Sequence, residues 1–165
     1  MSDPSQRFSS LGPPPPGDEP EAQVAYLQGV LAAFEQTRHP RLKPLRRKLQ
    51  RALKGLGSPQ AQRDPARAAA QFARELQALR LQTFELVATL ASQVRTALAA
   101  QHKGAPLPGD VHTVDLALEE FGRGMRKAVV ALRRGDARAE DEARELLRGA
   151  GERVRRREAS GAHDG

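Results

Sequence analysis

From Ala66 to Lys103 the chain contains neither glycine nor proline, and Ala, Leu, Gln, Arg and Glu dominate, all residues that favour the helix. Asp64-Pro65 stands just ahead of this run. Aspartate is a good N-cap, and proline at the first helical position loses an N–H that has no partner there anyway. The stretch from Asp64 to Lys103 therefore predicts a single helix about 60 Å long. With about 100° of turn per residue, Phe72, Leu76, Leu79, Leu86, Val87, Leu90, Val94 and Ala97 share one stripe roughly 100° wide. Leu81, Phe84, Ala88 and Ala91 widen the apolar arc to roughly 220° through the middle, more than one neighbouring helix can cover. Gln71, Arg74, Glu75, Gln82, Glu85, Thr89 and Ser92 keep the remaining face wet. The rest of the chain must be arranged around this helix.

Four further amphipathic stretches can supply the neighbours. Residues 21–37 place Val24, Leu27, Val30, Leu31 and Phe34 at helical spacing, with Asp18, Glu19 and Glu21 at the positive end of the helix dipole. His39-Pro40 ends this helix, because the residue before proline is driven out of the α region. Residues 41–56 carry Leu42, Leu45, Leu49, Ala52, Leu53 and Leu56 on one side, and Gly55, Gly57 and Ser58-Pro59 close that helix into a short loop. After the loop Gly104 to Gly109, Asp110 is expected to cap a helix whose inner face holds Val111, Val114, Ala117, Leu118, Phe121, Met125, Ala128, Val129 and Leu132. Gly122 lies at the edge of that face, where it lets a partner helix come close, and Gly124 has no such explanation. A turn at Gly135-Asp136 leads into a last helix with Ala139, Ala143, Leu146, Ala150 and Val154 inward.

The fold class that follows is all-α: an elongated bundle of four to five helices around one long central helix. Its domain spans residues 21–154. Residues 1–20, with Pro13 to Pro16 in a row, read as a disordered or polyproline II tail, most simply a stiff spacer, with a P-x-x-P ligand for a proline-recognition module as the alternative; residues 155–165 read as a frayed end. The 165 residues include no Cys, no Trp and one Tyr, so the core is aliphatic and thiolate chemistry is excluded. Neither a secretory h-region nor an apolar run of about 20 residues occurs, which leads to the expectation of a cytoplasmic protein. The abundance of Ala, Arg, Gly and Pro fits a GC-rich bacterial genome.

Motifs for catalysis are sparse. No G-x-S-x-G, G-x-x-x-x-G-K or G-x-G-x-x-G pattern is present, and no glutamate has a histidine three residues on, the spacing a di-iron bundle uses. Paired acids at Glu119-Glu120 and Glu140 to Glu142 read as a wet helix face. No enzyme activity, cofactor or metal is implied, although His102 and His112 flank one loop and could approach each other.

Charge carries the sharpest signal. Of the net +7, residues 38–63 hold nine bases and no acid. Arg41, Lys43, Arg46, Arg47, Lys48, Arg51 and Lys54 lie opposite the leucine stripe of the second helix and are the candidate partner-binding residues. The plain alternative is a solvated face, neutralised in part by Glu21, Glu35 or the acids from Glu140 to Glu145. No aromatic residue interrupts this segment to stack on single-stranded bases, and no amide-rich recognition helix is offered to a duplex groove. The expected function is therefore a non-enzymatic interaction protein, an adaptor, chaperone or regulator, that docks an acidic protein surface or polyanion on the second helix. The alternatives are a nucleic-acid binder contacting phosphates non-specifically and an amphipathic protein coating a granule or lipid surface. A homodimer burying the overhanging ends of the long helix is also compatible with the pattern.

Overall fold

The central helix begins where the sequence places it. In the computed structural model, which describes residues 12–14 and 19–163 (side chains to residue 156), Asp64 Oδ1 accepts a hydrogen bond from the Arg67 amide at 3.2 Å. The helix then runs uninterrupted from Pro65 to Gln101. Among the described residues five other α-helices accompany it. In chain order they are α1 (Pro20–Ala33), α2 (Leu42–Leu56), α3 (Pro59–Arg63), α4 (the central Pro65–Gln101), α5 (Gly109–Arg134) and α6 (Ala137–His163). No strand occurs among the described residues, and the fold is an all-α bundle around α4.

Short connections force antiparallel neighbours. Two of them are capped by the residues that end them. Ser58 Oγ accepts from the Ala61 amide, so the expected loop at Pro59 turns into the short α3. Gly135 closes α5 in the left-handed conformation at φ 63°, and Asp136 Oδ1 then accepts from the amides of Arg138 and Ala139 to start α6. At α5 the expected cap is shifted: Pro108 is the residue ahead of the helix and Asp110 falls in its first turn. There its charge still suits the positive end of the helix. α1 is shorter than its apolar pattern, because the chain tightens into a 3-10 turn over Glu35–Thr37 and leaves it at Arg38 with φ 53°. α6 continues as helix to His163.

Helices α4, α5 and α6 form an up-down-up meander, and α2 lies along the N-terminal half of α4. α1 fills the waist. Phe34 meets Phe121 of α5 with ring centroids 5.6 Å apart, and Tyr26 meets Phe84 of α4 edge-on at 6.4 Å. Around these rings Leu27, Leu31, Val87, Leu90 and Met125 are closed off from solvent. Within α4, Leu76, Leu79, Leu86 and the widened arc of Phe84, Ala88 and Ala91 are buried, while Ala97 at the end of the stripe is exposed.

Two inner faces differ in phase from the periodicity. On α6 the fully buried leucine is Leu147, and Leu146 is half-buried. On α5 Gly122 and Gly124 are both buried. A Cβ on Gly122 would make ordinary contacts of 3.8 Å with the Ala88 carbonyl and Ala91 Cβ of α4. One on Gly124 would lie 2.8 Å from Leu147 Cγ of α6. α5 is thus gripped on two sides, and at Gly124 the side chain of Leu147 leaves no room for a Cβ.

Candidate functional site

Leu42, Leu45, Leu49 and Ala52 are buried and fix how α2 is rolled. With that side inward, Lys43, Arg47, Arg51 and Lys54 follow one another at helical spacing along the outer side, a row about 16 Å long. Arg41 and Lys48 flank it. All six are exposed, and no ion pair involves any of them among the described residues.

Arg46 is different. Its Nη1 donates to Glu35 Oε1 at 3.2 Å and its Nη2 to the Leu31 carbonyl at 3.3 Å, near the end of α1. A guanidinium there meets both a carboxylate and the negative end of a helix. Arg46 is half-buried and acts as a brace between α1 and α2, outside the exposed row.

Three of the acids that could have neutralised the row are engaged elsewhere. Glu142 pairs with Lys127 and Arg138, Glu140 with Arg144 and Glu145 with Arg148. The Lys127 ammonium beside Glu142 holds its carboxyl below the usual range. On α5, Asp115 and Glu119 take Arg95, and Glu120 takes Arg153. Among the described residues Glu35 is the one acid in an ion pair with α2, through Arg46. The long-range pairs knit α4, α5 and α6 together and leave the outer side of α2 as an uncompensated cationic strip.

At the C-terminal end of this strip Leu56 is 41% exposed, because α2 ends there and α3 turns away. Leu56 borders an open cleft of about 500 Å³ lined by Ala52, Ala61 and Phe72 and by charges of both signs, Arg63 and Arg67 with Asp64 and Glu75. The row can therefore make charge-assisted contacts to phosphate or carboxylate oxygens, and its end offers an apolar foothold. His39 stands at the other end with a local role: its Nδ1 accepts from the Arg41 amide at 3.2 Å. His102 and His112 belong to no cluster of three or more metal-ligating side chains among the described residues.

A second polar locus was not singled out by sequence. Arg80 and Arg144, from two different helices, line a groove beside Pro14, and Tyr26, edge-on to Phe84 of that groove, holds the neighbouring Gly12 carbonyl. Arg80 lies over the Phe84 ring at 5.8 Å from its centroid. The available signal was weak: an arginine at the edge of the apolar arc of α4, and the chain's lone tyrosine.

Against known proteins, no family model matches the chain, and neither the curated proteins nor the solved structures show a significant similarity to it.

Proposed function

We propose that the protein is a non-enzymatic interaction module that docks an acidic macromolecular surface on the outer side of α2. The observation that carries this reading is the exposed row Lys43, Arg47, Arg51 and Lys54, flanked by Arg41 and Lys48, none of them in an ion pair among the described residues. Six cations along α2 and the residue that precedes it repel each other, and a polyanionic partner relieves that repulsion while gaining charge-assisted hydrogen bonds. The exposed Leu56 favours an acidic protein, since an apolar contact at the end of a charged strip has no counterpart on a phosphate backbone. Phosphate contact without sequence preference is the second reading, favoured by the absence of aromatic residues from the strip.

Pull-down with wild type and with R47E/R51E/K54E, each with and without nuclease, tests the proposal. An acidic protein partner is captured by wild type after nuclease and lost in the triple variant. For a nucleic acid, capture disappears with nuclease, and the log–log salt slope is roughly −4 for about five duplex phosphate contacts. Full retention of every partner by the triple variant would leave the strip a solvated face.

A further inference from the structure

Gly12 to Pro14 belongs to the proline-rich N-terminal segment, and in the structure it is held. Tyr26 Oη donates to the Gly12 carbonyl at 2.9 Å, and Arg144 Nη1 donates to the Pro14 carbonyl at 2.8 Å. Pro14 is buried. It forms one wall of a groove that keeps about 360 Å³ open beside it; the other walls come from α1, α4, α5 and α6, with Phe84, Leu132 and Ala143 among the apolar residues and Arg80 and Glu140 among the polar ones.

The chemistry of this groove matches what a proline-bearing strand can offer. Proline has no N–H, so such a strand presents carbonyl oxygens and ring faces only. A surface that reads it needs donors at the spacing of alternate carbonyls, about 6 Å in a polyproline II strand, with apolar walls for the rings. Tyr26 and Arg144 are donors to carbonyls two residues apart, and the alanines, Leu132 and Phe84 supply the walls. Burial pushes the Tyr26 phenol well above its ordinary value, against the opposing charges of Arg144 and Arg80, so it stays a donor at any physiological pH. We propose that this groove is a receptor for an extended proline-bearing segment, occupied in cis by residues 12–14 and able to take the same sequence in trans. This site is separate from the α2 strip and stands or falls without it.

A tethered segment faces its groove at an effective concentration in the millimolar range, so a free peptide at micromolar concentration should not displace it. The full chain carrying P13G/P14G should release the groove, since it loses both the buried ring and the stiffness of the strand. The probe is a fluorescein-labelled peptide of residues 9–17, Ser-Ser-Leu-Gly-Pro-Pro-Pro-Pro-Gly, followed by anisotropy. It should bind P13G/P14G and fail to bind wild type. In the released background Tyr26→Phe, which keeps the ring and removes the donor, should weaken binding roughly two- to tenfold, and Arg144→Ala roughly tenfold or more. Release itself is read separately. A nitroxide on Ser10→Cys, then the only cysteine in the chain, should broaden amides of α1 and α6 in the otherwise wild-type protein and cease to do so with P13G/P14G. No broadening in the otherwise wild-type chain, equal peptide binding by wild type and P13G/P14G, or no binding once the nitroxide reports release overturns the proposal. Binding indifferent to both Tyr26→Phe and Arg144→Ala overturns it too.

Discussion

A hydrogen atom in place of a methyl group sets how closely α5 and α6 approach. A Cβ on Gly124 would fall 2.8 Å and 2.9 Å from Leu147 Cγ and Cδ2, and 3.3 Å from the Ala143 carbonyl. Leu147 is wholly buried and has little room to give. Gly124→Ala should therefore destabilise by about 1–3 kcal/mol, the usual effect of overpacking. Two residues away the sign reverses: Gly122→Ala meets contacts no shorter than 3.7 Å and should be neutral or stabilising, by up to about 1 kcal/mol from helix propensity. Urea denaturation of the two variants checks the pair. Sequence explained Gly122 and not Gly124, because a periodic pattern shows that a helix has an inner face but not that it has two. The same limit underlies Leu146 and Leu147, which differ by about 100° of turn, so that the choice between them rests with the partner helix. Tyr26 gives a pH test. Its phenol in the unfolded chain ionises near its ordinary value, about 10, and in the folded chain only above that. Stability is then full below about pH 10 and falls as pH rises toward the folded value, since the unfolded state loses its proton first. Absorbance at the phenolate band should show the single tyrosine titrating above 10 in buffer and near 10 in denaturant, and Tyr26→Phe should flatten the alkaline loss of stability.

At the scale of the element, α2 separates structure from binding. Its buried side is Leu42, Leu45, Leu49 and Ala52, so R47E/R51E/K54E changes only the outer side. That variant should keep its helical circular dichroism, with stability shifted by no more than about 0.5 kcal/mol per site. Arg46→Glu should do more harm alone than any one of those three, because it sets a carboxylate beside Glu35 and the Leu31 carbonyl. Thermal melts of the two variants distinguish a brace from an exposed row. The helix, its leucine stripe and the Asp64 cap were legible in the residues, since propensity, capping and periodicity are local. That Arg46 leaves the row was not, because it depends on where α1 ends. The fate of the acids in α6 was equally hidden: Glu140 and Glu142 find bases on their own helix or on α5, and the pattern of one helix does not say which other helix lies alongside.

For the molecule as a whole, α4 is shared: α2 packs on its first half and α5 on its second, with α1 at the waist. Loss of either half exposes the core of α4, so unfolding should be a single transition. Circular dichroism and the fluorescence of Tyr26, in a chain without tryptophan, should then trace superimposable melts; a separate tyrosine transition would mean the α1 groove opens before the meander. The meander itself joins neighbours in sequence, whereas the Arg144 bond to the Pro14 carbonyl spans 130 residues. That separation has a consequence during synthesis. The ribosome delivers Pro14 long before Arg144, and at about 5–20 residues per second the interval is on the order of ten seconds. Throughout it the proline segment travels outside the tunnel with half of its groove still unmade, open to whatever else meets a nascent chain.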